Sequence, residues 1–183
     1  MDFATVIAIL LAGIFSSNFA LIECLGTGAV IENERSNRRS LIVGGGTTLV
    51  MVIATLITWP INKYLLTNIP YLQTLIFVVV ILVVVELVHL LAKNRLEGYC
   101  KVDFLKFAIN GAVLGICIHN THIELFGEAV LTAFATGLGL TLTMVVFSSL
   151  RRKIDEETVP ASFRGLPLAL LIAGLMALAV LAF

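Results

Sequence analysis

The chain has 183 residues, of which 59% are hydrophobic and only 13% carry charge, against roughly 25% charged in a typical soluble domain. Mean hydropathy is +1.04, and the 12 basic residues balance the 12 acidic ones. These values exclude a soluble globular enzyme, a strongly basic nucleic-acid binder and an acidic disordered segment. The three cysteines, Cys24, Cys100 and Cys117, show no CxxC spacing, so neither a disulfide framework nor a zinc site is indicated.

A helix that crosses a membrane needs about 20 mostly apolar residues. Runs near that length occupy residues 3–22, 41–62, 71–85 (continuing past Glu86 to about 91), 107–121, 129–150 and 165–183. They predict an all-α integral membrane protein with six transmembrane helices. The first run is flanked by Asp2 instead of a basic segment and has no small-residue cleavage site, so it reads as a span and not as a cleaved leader.

Basic residues then orient the spans. Arg35, Arg38 and Arg39 fall in the first loop, Lys93, Arg95, Lys101 and Lys106 in the third, and Arg151, Arg152, Lys153 and Arg164 in the fifth. The second loop holds only Lys63. The positive-inside rule therefore predicts cytoplasmic loops 1, 3 and 5, with both termini outside. No loop is long enough for a nucleotide-binding domain, so any chemistry must use groups within the membrane or groups from other chains.

The second and fifth spans are related to each other. Gly44-Gly45-Gly46-Thr47-Thr48-Leu49-Val50-Met51-Val52 and Gly137-Leu138-Gly139-Leu140-Thr141-Leu142-Thr143-Met144-Val145 share Gly, Gly, Thr, Leu, Met and Val at a constant offset of 93. A repeat of three spans inverts, because an odd number of crossings reverses the direction of entry. One membrane domain, 1–183, is thus expected to comprise repeat 1 (about 1–92) and repeat 2 (about 93–183), the architecture of many transporters. Helix breaks are expected in the first span of each half. Ser16-Ser17-Asn18, Glu23 and Gly26-Thr27-Gly28 lie in one, and Asn110-Gly111-Ala112-Val113-Leu114-Gly115 in the other. Glycine releases the helix, and Asn satisfies backbone groups that hydrocarbon cannot. Gly111 and Gly115 also suit close helix packing.

Asn18-Phe19-Ala20-Leu21 with Leu25-Gly26, the Asn110–Gly115 stretch, and Val159-Pro160-Ala161-Ser162-Phe163-Arg164-Gly165 continuing through Leu170–Ala179 resemble one known family. It comprises the A subunit of the Rnf complex and its homologue, the E subunit of the sodium-pumping NADH:quinone oxidoreductase (Nqr). The resemblance spans essentially the whole chain. It implies a prokaryotic inner-membrane subunit that pairs with an oppositely oriented homologue, the E subunit of Rnf or the D subunit of Nqr. The wider complex carries electrons between ferredoxin or NADH and NAD⁺ or quinone while Na⁺ or H⁺ crosses. Between the paired subunits the family holds an iron–sulfur centre, to which each contributes two cysteines, consistent with Cys₄ ligation.

This sequence departs from that pattern. The family's cysteine positions are occupied by Gly28 and Gly111, so the chain alone is expected to bind no cofactor and no metal. Relocated ligation by Cys24 and Cys117 would need backbone shifts of several ångströms, since one helical turn is about 5.4 Å; packing is the simpler role for both. Cys100, beside Lys101, reads as an incidental thiol.

Ion-pathway candidates are Glu86 and His89, together with Asn18, Asn110 and Glu23. Glu86 and His89 share a helix face, and the family places a Gln and a Glu there. Two readings of the pair stand side by side, a proton relay and a snorkelling pair near the cytoplasmic end beside Lys93 and Arg95. His119, His122, Glu124 and Glu128 in the outer loop lack zinc-ligand spacing. Trp59, Tyr64 and Tyr71 read as interface anchors. The expected function is that of a membrane subunit of an Rnf/Nqr-type ion-translocating complex without iron–sulfur ligands of its own. The alternatives are a redox-independent transporter or permease, or a structural assembly subunit on the same fold. No partnership with nucleic acid is expected.

Overall fold

The computed structural model describes residues 3–16, 37–66, 70–96, 110–154 and 159–181, and these are helical apart from short connections. Helix α1 spans Phe3–Leu11 and widens into a π-helical turn at Ala12–Ser16. Helix α2 is Asn37–Ile61. Pro60 lies inside it and cannot donate to the preceding turn, and directly after it the backbone opens into a second π-helical turn, Asn62–Leu66. Helix α3, Gln73–Leu96, follows a 3₁₀ turn at Pro70–Leu72. Helix α4 is short, Gly111–His119, and tightens into 3₁₀ at Asn120–His122. Helix α5 is Phe126–Lys153, and α6 is Leu166–Leu181, behind a 3₁₀ turn at Ala161–Phe163. Gly165, at φ 81°, adopts the left-handed backbone that joins this turn to α6.

Helices α2 and α5 form the central antiparallel pair. At one end Ser149 Oγ donates to Asn37 Oδ1 at 3.2 Å. At the other, the Trp59 and Phe126 rings meet edge to face with centroids 5.2 Å apart. Around the pair, α1 packs on α5, α4 on α2, α3 on α2 and α4, and α6 on α5. The core draws on Val50, Met51 and Ala54 of α2, Phe77 and Val84 of α3, Ile116 of α4, and Leu140, Met144 and Phe147 of α5.

Several buried hydroxyls are satisfied within their own helices, although Thr136 Oγ1 is buried without a partner. Thr47 donates to Val43 O (3.0 Å), Thr58 to Ala54 O (2.8 Å) and Thr143 to Gly139 O (3.0 Å). This arrangement needs no water, which suits an apolar surrounding. By length and composition, Ser40–Leu66 and Phe126–Lys153 suffice to cross a membrane, while Ala4–Ile14, Gln73–Val88 and Leu166–Val180 are shorter apolar helices.

The expected spans at 41–62, 71–91, 129–150 and 165–183 coincide with α2, α3, α5 and α6. Helix α4 begins at Gly111 behind the Asn110 cap, and residues 107–109 of the expected fourth run lie outside the described residues. Trp59 differs from a simple interface anchor. Its indole N–H donates to Ile123 O at 2.9 Å, and Lys63 Nζ sits 4.6 Å from its ring centroid. It therefore clasps the end of α2 to the segment that leads into α5, whereas Tyr64 and Tyr71 are highly exposed.

Candidate functional site

The N-terminus of α4 is built by Asn110. Its backbone is extended (φ −108°, ψ 137°), and its Oδ1 accepts from Ala112 N at 3.3 Å. Its carbonyl accepts from Val113 N at 2.9 Å. This is the usual capping role of Asn, which satisfies one of the unpaired first-turn donors. Asn110 is buried, and its Nδ2 has no hydrogen-bond partner. Gly111, next to it, is exposed and carries no side chain. The chemistry at this pole is that of N–H donors at the positive end of a helix. An iron–sulfur cluster needs thiolates, so the residues here do not fit the family's half-site.

Cys117 lies six residues further along α4, a rise of about 9 Å. It is 1% exposed and sits beside the Thr55 and Thr58 hydroxyls of α2, inside the α2–α4 packing and not on the surface that bears Gly111. On the same face of α4, Asn120 Nδ2 donates to Thr55 Oγ1 (3.3 Å) and to Ala129 O (3.0 Å). Its Oδ1 is buried without a partner. Sequence reasoning left Asn120 inside the fourth apolar run, 107–121, and gave it no contact across the helices. The missed signal was its spacing from Val113, Ile116 and Cys117, which puts all four on one helix face.

At the α2–α5 crossing the contacts are reciprocal. A Cβ on Gly44 would lie 2.7 Å from Thr141 Cγ2, and a Cβ on Gly137 would lie 2.6 Å from Thr48 Cγ2. Gly44 and Gly137, like Thr48 and Thr141, are related by the offset of 93. Between them Thr48 Oγ1 and Thr141 Oγ1 are 3.2 Å apart. Each hydroxyl also reaches the carbonyl four residues back, Gly44 O at 2.8 Å and Gly137 O at 2.9 Å. Two protons thus serve three bonds, and either threonine can be the donor across the crossing. Beside it runs an apolar groove of about 530 Å³, lined by Leu41, Gly45 and Thr48 of α2 and by their offset counterparts Phe134, Leu138 and Thr141 of α5.

The remaining candidates are spread out. Glu86 is exposed on α3. His89 is one turn further on, and its side chain is outside the described residues, as are Asn18, Glu23, Cys24 and Gly28. Asn110 and Glu86 are therefore the only ion-pathway candidates whose surroundings are described, and they lie on different helices. His119, His122 and Glu124 are exposed, and among the described residues no three His, Cys, Asp or Glu side chains converge. A cleft of about 450 Å³ at this end is lined by Trp59, Asn62, Lys63, Thr121, Ile123 and Glu124.

Backbone-close glycine contacts, hydroxyls turned onto their own helices and an outward surface of Leu and Val define an α-helical membrane protein. A family model described as "Rnf-Nqr subunit, membrane protein" matches residues 6–183. The chain is 35% identical over 173 residues to the A subunit of the ion-translocating oxidoreductase complex of Sodalis glossinidius, covering 91% of this chain and 90% of that protein. It is 32% identical over 185 residues to the A subunit of the Na(+)-translocating ferredoxin:NAD(+) oxidoreductase complex of Acetobacterium woodii, covering 98% and 96%. The A subunit of the ion-translocating oxidoreductase complex of Syntrophotalea carbinolica is 33% identical over 181 residues, covering 96% and 94%. The chain belongs to the Rnf-Nqr family of membrane subunits.

Proposed function

We propose that this chain is the A subunit of an ion-translocating oxidoreductase complex in a prokaryotic inner membrane, and that it lacks iron–sulfur ligands of its own. The carrying observation is the end-to-end likeness to relatives named as the A subunits of such complexes. Its partners are an inverted homologous membrane subunit and the other subunits of the complex. The fold is six spans in two inverted repeats, with both termini outside and breaks in the first and fourth helices. The exchanged Gly44–Thr141 and Gly137–Thr48 contacts support the inversion, and the capped start of α4 supports the second break.

Gly111 at the α4 pole supports the loss of the cluster half-site. Electrons then take a route that this chain does not ligate, while Glu86, His89, Asn18, Asn110 and Glu23 are the candidates for the ion path. Iron analysis and visible absorbance of the purified complex test the first point, and a stoichiometric cluster ligated by this subunit would overturn it. Glu86→Gln in complex reconstituted into vesicles tests the second: ion pumping is expected to fall, and unchanged pumping would remove Glu86 from the path. The absence of a thiol at position 111 also favours a second reading, a redox-independent transporter on the same fold. That reading predicts transport by the chain without electron-carrying partners.

A further inference from the structure

Helix α3 turns a continuous apolar stripe away from the rest of the chain, with one carboxyl group inside it. Leu75, Val79, Leu82, Val83 and Leu90 are 45–64% exposed, and Glu86 falls among them at the same three- and four-residue spacing. Its side chain is exposed, and among the described residues no hydrogen bond or ion pair reaches it. Glu86 lies 13 residues beyond Gln73, about 20 Å along the helix. It precedes Lys93, the first basic residue of the helix, by seven residues, about 10 Å.

A carboxylate facing lipid at that depth is costly, and such groups normally face protein or a polar cavity. Helix α6 provides the contrast. Its outward Leu170, Leu171, Leu175 and Leu178 have no ionisable residue among them, as a face covered by acyl chains requires. The groove beside the α2–α5 crossing also holds none. Among the described residues, only the α3 stripe combines large apolar side chains with an acid at membrane depth.

We propose that this stripe is the contact face for a transmembrane helix of another subunit, and that the helix brings a Lys or Arg side chain to the depth of Glu86. The leucines and valines supply the packing area. The charge pair fixes depth and register, since an unmatched charge at such an interface disfavours other alignments. This inference rests on the reading of the chain as one component of a larger complex.

The test uses the whole complex in membranes, with a photo-crosslinking amino acid at Val83 or Leu90 and a control at Leu175. Val83 and Leu90 are expected to crosslink to one transmembrane segment that contains a Lys or Arg, and Leu175 to lipid. Glu86→Lys and Glu86→Leu are each expected to lower recovery of that subunit with the chain by at least about tenfold, because the partner's cation is left buried and unpaired. Membrane insertion of the chain itself, measured separately, is expected to persist. Lipid adducts at 83 and 90, crosslinks to a second copy or to a segment without a basic residue, or full recovery of the Glu86→Leu complex would each overturn the proposal while leaving the complex intact. A chain that is recovered with no other subunit would overturn both the contact and the reading beneath it.

Discussion

Gly44 and Gly45 are neighbours on α2, yet alanine is expected to act oppositely at the two positions. A Cβ at Gly44 would meet Thr141 Cγ2 and Oγ1 at 2.7 Å and its Cα at 2.9 Å, whereas a Cβ at Gly45 would meet nothing within 4 Å. The threonine is β-branched and stiff, and one of the contacts is backbone, so no rotamer change relieves the clash. The helices must part by several tenths of an ångström. Overpacking of this kind costs about 1–3 kcal/mol. Alanine in place of glycine returns up to about 1 kcal/mol of helix propensity at both sites, so the difference between the two variants isolates the packing cost. Gly44→Ala is therefore expected to lie about 1–3 kcal/mol below Gly45→Ala in stability. The single tryptophan, Trp59, stands at the end of the same helix pair against Phe126, so its fluorescence during thermal unfolding in detergent reports the loss directly. Gly137→Ala, the offset counterpart, is expected to match Gly44→Ala. The double variant should fall short of additivity, because helices already parted by one wedge accept the second more cheaply. Equal stability of Gly44→Ala and Gly45→Ala would refute the close crossing, and strict additivity would refute its shared origin.

Other substitutions probe separate links. Asn120→Ala removes the donor to Thr55 and to Ala129 O and is expected to cost about 1–3 kcal/mol, read as a lower unfolding temperature. Trp59→Phe keeps the ring but deletes the bond to Ile123 O. It should cost about 0.5–1.5 kcal/mol, detectable as faster hydrogen exchange in the 120–126 segment. With Cys24 and Cys100 replaced by alanine, Cys117 should resist maleimide until the chain is denatured, since it is buried. In a cysteine-free background, Gly111→Cys should label readily in the folded chain because that position is exposed. Rapid labelling of native Cys117 would overturn its assignment to the α2–α4 packing.

How far these positions could be read in advance depended on which residues mark the inside of a helix that is apolar all round. In a soluble protein the polar face does so, but here both the protein side and the outer side favour hydrocarbon, and period alone cannot separate them. On α2 the marking is done by small and hydroxylated residues. Gly44, Thr47, Thr48, Thr55 and Thr58 recur at helical spacing and are all buried, because close backbone approach and self-satisfied hydroxyls belong between helices. That is why the offset of 93 could be seen in the sequence and reappears as the α2–α5 crossing.

Helix α3 shows where the reasoning stops. Its buried Phe77, Ile81, Val84, Val85 and Val88 and its exposed Leu75, Val79, Leu82, Val83 and Leu90 come from one alphabet, so composition could not orient it. Orientation came from packing alone, and it turned Glu86, read in the sequence as a relay or a snorkelling pair with His89, onto the outward face. An acid on that face changes what must be explained. A relay enclosed within this chain would need Glu86 turned inward, so any ion path that uses Glu86 runs along the outward boundary of the described helices. Asn110, buried at the start of α4, cannot share that boundary unless the path crosses the α3–α4 packing. The discriminating measurement is ion pumping by Glu86→Gln and Asn110→Ala separately and together. A single path predicts that the double variant is no worse than the poorer single one, and multiplicative losses would separate the two sites.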